Sequence, residues 1–263
     1  MELRTRLIPC LQLRHGSLVK TRRFGRFGYI GDPANTCRIF NECAVDELAL
    51  VDIVATREGR GPDLKLLAEL AEECFMPVAY GGGITTAAQA GDILRLGMEK
   101  VIIGSAAYER PELLSEIADG FGTQCVVAAI DVKRNWLGRE HCMARSGTRT
   151  ASPDPVAWAQ EVERAGAGEI LLTCIDREGT WEGFQLDLVA RVSASVSIPV
   201  IAHGGAGSHD DIRRVVNEAG ASAVALGNMV VYQKRGMGVL VNFPSEADQD
   251  AMELRSPMQA MTA

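Results

Sequence analysis

The chain has 263 residues, 47% hydrophobic and 23% charged, with a formal net charge of -7. This is the composition of a folded globular chain, and an acidic balance with no strongly basic block argues against nucleic acid as a partner. No apolar run approaches the roughly 20 residues of a membrane span, and residues 1–6 lead into a short strand rather than a signal peptide. The seven cysteines are dispersed with no CxxC pair, which suits reduced thiols better than disulfides or zinc. The expectation is a cytoplasmic protein with neither metal nor cofactor.

The first apolar run, residues 7–14, reads as a strand with Gln12 near its end. Residues 15–35 carry Gly16, Gly25, Gly28 and Gly31 among Lys20, Arg22, Arg23 and Arg26, which reads as a long, mobile, basic loop kept for function. Asp32 followed by Pro33 signals a helix over 33–42. A strand over 46–53 closes on Asp52, and the Leu64, Leu66, Leu67, Leu70, Ala71 spacing predicts a helix over 62–74. A strand over 76–80 runs into Gly81-Gly82-Gly83, a helix covers 86–96, a strand covers 100–105, and a helix covers 111–121.

The second half repeats that order. Residues 126–133 form an apolar, β-branched run containing Asp131, short enough to be a strand buried on both faces. A loop with Gly138 and Gly147 leads to a helix over 155–165. A strand over 169–174 precedes residues 176–180, a strand over 198–203 enters Gly204-Gly205, and a last strand covers 223–228. Corresponding segments lie about 120 residues apart. Eight strands alternating with eight helices in two similar halves predict an α/β fold, a closed (β/α)₈ barrel over residues 1–245. Residues 246–263 read as a polar tail, part-helical at most.

In such a barrel the strand C-termini form the active-site mouth, where Gln12, Asp52, Gly81, Gly104, Asp131, Thr173, Asp176, His203 and Gly227 converge. Gly82-Gly83 and Gly204-Gly205, with Gly104-Ser105 and Gly227-Asn228, leave backbone N–H groups free for oxyanions. That symmetric pair predicts a ligand with two phosphates; the plainer reading is that the glycines only make tight turns. Lys20 on the first loop and Gly179 after the sixth strand complete the phosphate-binding candidates. Asp131 is placed for acid–base work, with loop capping as its alternative. Gln12 cannot exchange a proton in that way. Asp52 either reacts or holds its loops; His203 contacts phosphate, titrates or simply packs. Cys174 reads as core rather than nucleophile. At the opposite mouth Arg6, Glu47, Lys100 and Glu169 form either a ring across the barrel floor or an ordinary surface ion-pair network.

Over residues 4–232 the chain resembles the cyclase subunit of imidazole glycerol phosphate synthase. The resemblance is carried by Ile8-Pro9-Cys10-Leu11, Gly31-Asp32-Pro33, Glu58-Gly59-Arg60-Gly61, Gly81-Gly82-Gly83, Phe121-Gly122-Thr123-Gln124, Ala129-Ile130-Asp131, the run from Gly166 to Thr173, and Gly204-Gly205-Ala206-Gly207. It implies a glutaminase docked on the N-terminal face, an ammonia gate at Arg6, Glu47, Lys100 and Glu169, and a two-phosphate substrate processed by two aspartates. One aspartate matches Asp131; the other matches Gln12. Gly104-Ser105, His203 and Gly227-Asn228 also depart from the family's phosphate loops, Glu178 replaces an aspartate and Cys174 a serine. Ile39-Phe40-Asn41-Glu42, Cys74-Phe75-Met76-Pro77 and Val239 to Ser245 are similar to a subgroup associated with acetamidino-sugar formation in bacterial surface polysaccharides. The resemblance therefore implies a barrel that delivers ammonia towards a sugar amidotransferase, its lyase activity weakened. The alternatives are a working histidine-pathway cyclase and, disfavoured for want of a second carboxylate, a phosphate-sugar isomerase.

Overall fold

The computed structural model describes residues 4–152 and 154–254. Strand β1 (Arg6–Arg14) continues into a hairpin, β2 (Ser17–Thr21) and β3 (Phe27–Gly31), before helix α1 (Pro33–Glu42) and strand β4 (Leu48–Asp52). Then come α2 (Leu64–Glu73), β5 (Val78–Gly81), α3 (Ala87–Arg95), β6 (Lys100–Ile103), the short α4 (Ser105–Glu109) and α5 (Glu112–Phe121). The second half opens with β7 (Val126–Arg134), its hairpin β8 (Glu140–Ala144) and β9 (Arg149–Ser152), and α6 (Pro155–Arg164). It continues with β10 (Glu169–Cys174), α7 (Leu186–Ser193), β11 (Val200–His203), α8 (His209–Asn217), β12 (Ala223–Leu226), α9 (Asn228–Val231) and α10 (Glu246–Ala251).

Eight parallel strands, β1, β4, β5, β6, β7, β10, β11 and β12, pair side by side, and the β12–β1 and β7–β10 pairings close the ring. The sequence expectation of a closed (β/α)₈ barrel holds. Helix starts follow local chemistry: the Asp32 and Asp154 side chains accept from backbone N–H groups of the first turn, each followed by a proline that needs no such partner.

Two loops of the sequence reading are corrected. Residues 15–35 and the stretch after Asp131 are β-hairpins, because β1 and β7 run on past the barrel and pair antiparallel with β2 and β8. Glycines and arginines hid these short strands; pairing to an already formed neighbour, not local propensity, makes them. The tail expectation meets α10, which starts on a Ser245–Asp248 capping box; residues 255–263 lie outside the described part. Four cysteines are buried, but Cys43 is exposed and Cys74 and Cys125 are half-buried.

Strand alternation sorts the core into two compartments. Leu7, Leu11 and Leu13 point outward into the layer under the helices, while Ile8 and Cys10 point into the barrel with Ala49, Ala79, Ile102, Val127, Leu171, Ile201, Ala223 and Ala225. Barrel interiors ordinarily use bulky branched residues; here four of those ten are alanines. The inward face of β1 therefore reads Arg6, Ile8, Cys10, Gln12 from floor to mouth, a rise of roughly 20 Å at about 3.3 Å per residue.

Candidate active site at the carboxyl-terminal mouth

The barrel mouth opens into a cavity of about 460 Å³ lined by Gln12, Gly82, Gly83, Gly104, Asp131 and His203 among others, within the range of small-molecule sites. Asp131, Thr173 and His203 stand side by side because β7, β10 and β11 put them in register. Burial pushes the Asp131 carboxyl up to about 7; Glu178 adds to the rise and a hydrogen bond from Thr173 opposes it. Thr173 Oγ1 also lies 3.2 Å from His203 Nδ1. When Asp131 is ionised it only accepts, so in that state Thr173 donates to it and receives from His203 Nδ1–H, leaving Nε2 unprotonated. Burial, aided by the charge of Lys20, lowers the His203 pKa to about 4. It is neutral at physiological pH and brings no positive charge to the mouth.

Gln12 is only 4% exposed and belongs to a buried cluster. Its Oε1 accepts from the Thr21 N–H at 2.9 Å, and its Nε2 donates to Glu178 Oε1 at 3.3 Å. Glu178, wholly buried, pairs with the Lys20 ammonium and accepts from Thr21 Oγ1 at 2.9 Å. Burial works against the Glu178 charge, yet Lys20, supported by Thr21, holds its pKa below the ordinary carboxylate range. The cluster ties the β1–β2 hairpin to the turn after β10. Glu178 was visible in the sequence only as a replaced aspartate. Its place at the centre depends on a turn with left-handed backbone at Gly179 (φ +71) and Trp181 (φ +64), which no sequence signal gives.

The remaining candidates divide. Asp52 Oδ1 accepts from the N–H groups of Val54 and Ala55 at 3.0 and 2.9 Å, and Oδ2 faces Arg60 at 3.4 Å; it holds its own loop. Asp176 turns away from the cavity, accepting from the Arg134 N–H at 2.8 Å. Gly82, Gly83, Gly104 and Ser105 border the cavity, whereas Lys20, Gly179, Gly204, Gly205, Gly227 and Asn228 do not. The first-half loop opens on the cavity, while Lys20 lies across Gly227 of the second. Several glycines are also required by packing, since a Cβ on Gly82 would come within 2.6 Å of the Asp52 carbonyl, and one on Gly204 within 2.6 Å of that of Cys174. Among the described residues, no group of three His, Cys, Asp or Glu side chains is placed to hold a metal ion, and no helix is long and apolar enough to cross a membrane.

At the other end, Arg6, Glu47, Lys100 and Glu169 close a four-membered ring. Arg6 reaches Glu47 at 2.5 Å and Glu169 at 2.7 Å; Lys100 reaches them at 3.0 and 3.1 Å. Burial disfavours the Arg6 charge, but the two carboxylates together raise its pKa above the usual value. Two cations alternating with two anions make a neutral, partly buried plug over the barrel axis.

A closed barrel with a charged ring on its floor and a titratable carboxyl in a cavity at its mouth defines a small-molecule (β/α)₈ protein. Residues 6–235 match the family of histidine biosynthesis proteins. The chain is 46% identical over 242 residues to a Pseudomonas aeruginosa protein provisionally named imidazole glycerol phosphate synthase subunit hisF2, covering 92% of this chain and 96% of that one. It is 43% identical over 251 residues to a Leptospira borgpetersenii protein provisionally named subunit HisF, covering 95% and 99%. A Vibrio vulnificus protein provisionally named subunit hisF3 is 41% identical over 254 residues, covering 96% and 98%. The chain belongs to the histidine biosynthesis protein family, among the HisF-type subunits of imidazole glycerol phosphate synthase.

Proposed function

We propose that this chain is the barrel subunit of a glutaminase-coupled complex, conveying ammonia from its N-terminal floor to its C-terminal mouth for acetamidino modification of a nucleotide-linked sugar in surface polysaccharide synthesis. The glutaminase docks on the floor, a sugar amidotransferase receives the ammonia, and the mouth keeps a site for a phosphorylated small molecule. The observation that carries this reading is the contrast between the two ends. The floor retains a complete ring of Arg6, Glu47, Lys100 and Glu169. Among the described carboxyls that line the cavity at the mouth, Asp131 stands outside any ion pair, while the amide of Gln12 is bound into the Glu178–Lys20 cluster. Four of the ten inward core positions are alanines.

The second reading, an active cyclase of histidine biosynthesis, draws support from Asp131 itself, whose pKa of about 7 suits acid–base transfer at neutral pH. The deciding experiment is turnover of the histidine-pathway intermediate by purified protein in high ammonium, with rescue of a histidine auxotroph beside it. The conduit reading expects no rescue and turnover at least 1,000-fold below a working cyclase, together with tight binding of a glutaminase. Competitive turnover sinks it.

A further inference from the structure

We propose that the barrel mouth is a docking face for an acidic protein partner, seated on the two β-hairpins that border it. This rests on the reading above that ammonia leaves the mouth for a second enzyme, and it gives that enzyme a surface chemistry: an acidic rim with an apolar pocket for Trp136.

Charge is unevenly spread over the molecule. Residues 15–31, which form the β2–β3 hairpin, contain four Lys or Arg and no Asp or Glu; residues 132–152, the β8–β9 arm, contain five and one. Together they hold an excess of eight positive charges in a chain whose net charge is -7, so the rest of the molecule is acidic. On the helices most cations pair with a carboxylate, as Arg95 does with Asp92 and Arg213 with Asp210. On the hairpins Arg134 pairs with Glu140 and Arg149 with Glu109. Arg22, Arg26, Lys133, Arg139 and Arg145 are exposed and, among the described residues, have no carboxylate within ion-pair reach. None of these five lines the cavity, so a ligand inside it does not account for them.

The same hairpins expose large apolar side chains away from the cavity. Trp136 is 91% exposed, Tyr29 67% and Leu137 56%. Trp, Tyr and Arg are the residues that anchor protein interfaces. Trp136 is presented by a turn that is already ordered. Asn135 Oδ1 accepts from the N–H groups of Leu137 and Arg139 at 2.9 and 3.0 Å, and the Asn135 N–H donates to the Arg139 carbonyl at 2.9 Å. A fixed turn lowers the ordering cost of association.

The two hairpins make one platform. Arg23 Nε donates to the Asp176 carbonyl at 2.9 Å, and Asp176 Oδ2 accepts from the Arg134 N–H at 2.8 Å. A Cβ on Gly147 would lie 3.2 Å from the Phe24 ring. Thr21 and Phe24 of the first hairpin, with Met143 and Ser146 of the second, border the cavity. A partner seated on both therefore covers the exit and takes ammonia without its release to solvent. Charge selects the occupant. A second copy docked mouth to mouth would set two positive faces together, which is repelled. A nucleic acid or an anionic membrane extends beyond the mouth and meets the acidic remainder of the chain, whereas a protein with a bounded acidic rim does not.

The test is biolayer interferometry of the intact barrel–glutaminase complex against the purified sugar amidotransferase of the same organism, in about 50 and 300 mM NaCl. Binding is expected at low salt and weakens at least tenfold at high salt. Trp136→Ala and the double variant Arg22→Glu/Arg26→Glu each weaken it at least tenfold. Both keep the circular dichroism spectrum and a glutaminase affinity within about twofold of the parent, because the glutaminase sits at the other end of the barrel. Absence of amidotransferase binding at about 10 μM overturns the proposal, as does binding that both variants leave unchanged. Dimerisation that Trp136→Ala abolishes in sedimentation velocity makes a second copy the occupant and overturns it too. So does binding of single-stranded DNA or phosphatidylserine vesicles as tight as that of the amidotransferase. Rescue of the histidine auxotroph fails the conduit reading; lost amidotransferase binding without rescue fails the docking face alone.

Discussion

Gln12→Asp is the substitution that best separates the buried cluster from a simple loss of a catalytic group. If Gln12 were merely an acid that had been lost, restoring aspartate would be benign. In the structure its Nε2 donates to the ionised Glu178 and its Oε1 accepts from Thr21 N–H. Aspartate keeps the second bond at best, and it loses the first. A hydrogen bond to a charged partner contributes about 1.5–3 kcal/mol, and a second carboxylate facing Glu178 adds repulsion that only Lys20 offsets. The expected loss is about 3 kcal/mol at pH 8. For a chain of this size that lowers the melting temperature by roughly 6–12 °C. The pH dependence has a fixed sign. Repulsion raises the folded-state pKa of the new carboxyl above its unfolded value of about 4. The repulsive part is therefore absent below pH 4, grows as pH rises through that range, and is complete above the folded pKa. Differential scanning calorimetry at pH 5 and pH 8 measures it, with Gln12→Asp/Glu178→Gln as the control that regains at least half the loss. A melting-temperature change under 2 °C at pH 8, or an equal change at both pH values, would refute the cluster's energetics. The same argument predicts that Gln12→Asp alone gains no cyclase turnover.

Further outcomes follow from the other site groups. Asp131, held up to about 7 by burial and Glu178, destabilises the fold when ionised; Asp131→Asn gives no change near pH 4 and a gain of about 2 kcal/mol above pH 7, read from urea midpoints. His203, lowered to about 4 chiefly by burial, resists protonation in the fold, so stability falls as pH drops from about 6.5 towards 4. His203→Gln removes about 2 kcal/mol of that acid lability in the same titration. Lys100→Met leaves Glu47 and Glu169 sharing Arg6 alone; the ratio of ammonia delivered to glutamine consumed falls at least fivefold in the reconstituted complex, while turnover on added ammonium is unchanged. Asp52→Ala frees the Val54 and Ala55 N–H groups and costs about 1–2 kcal/mol, measured by thermal unfolding.

The sequence by itself determined the barrel. Its periodicities, the Asp32-Pro33 helix start, and the offset of about 120 residues between halves are local or repeated signals, and the closed ring follows from them. Alternation along β1 also places Arg6 at one end of the barrel and Gln12 at the other. Tertiary structure decided the rest. Whether 15–35 is loop or hairpin depends on a neighbouring strand edge. Whether Asp52 and Asp176 face ligand or loop depends on which backbone N–H groups come within reach. Above all, two glycine loops with matching dihedrals at Gly104 and Gly227 differ in what lies across them. Lys20, more than 200 residues from Gly227 in the chain, reaches it only because the barrel closes β12 onto β1 and Glu178 holds the ammonium there. A contact of that sequence separation leaves no periodicity or motif in the chain, because it is set by ring closure and by electrostatic pairing in a buried site.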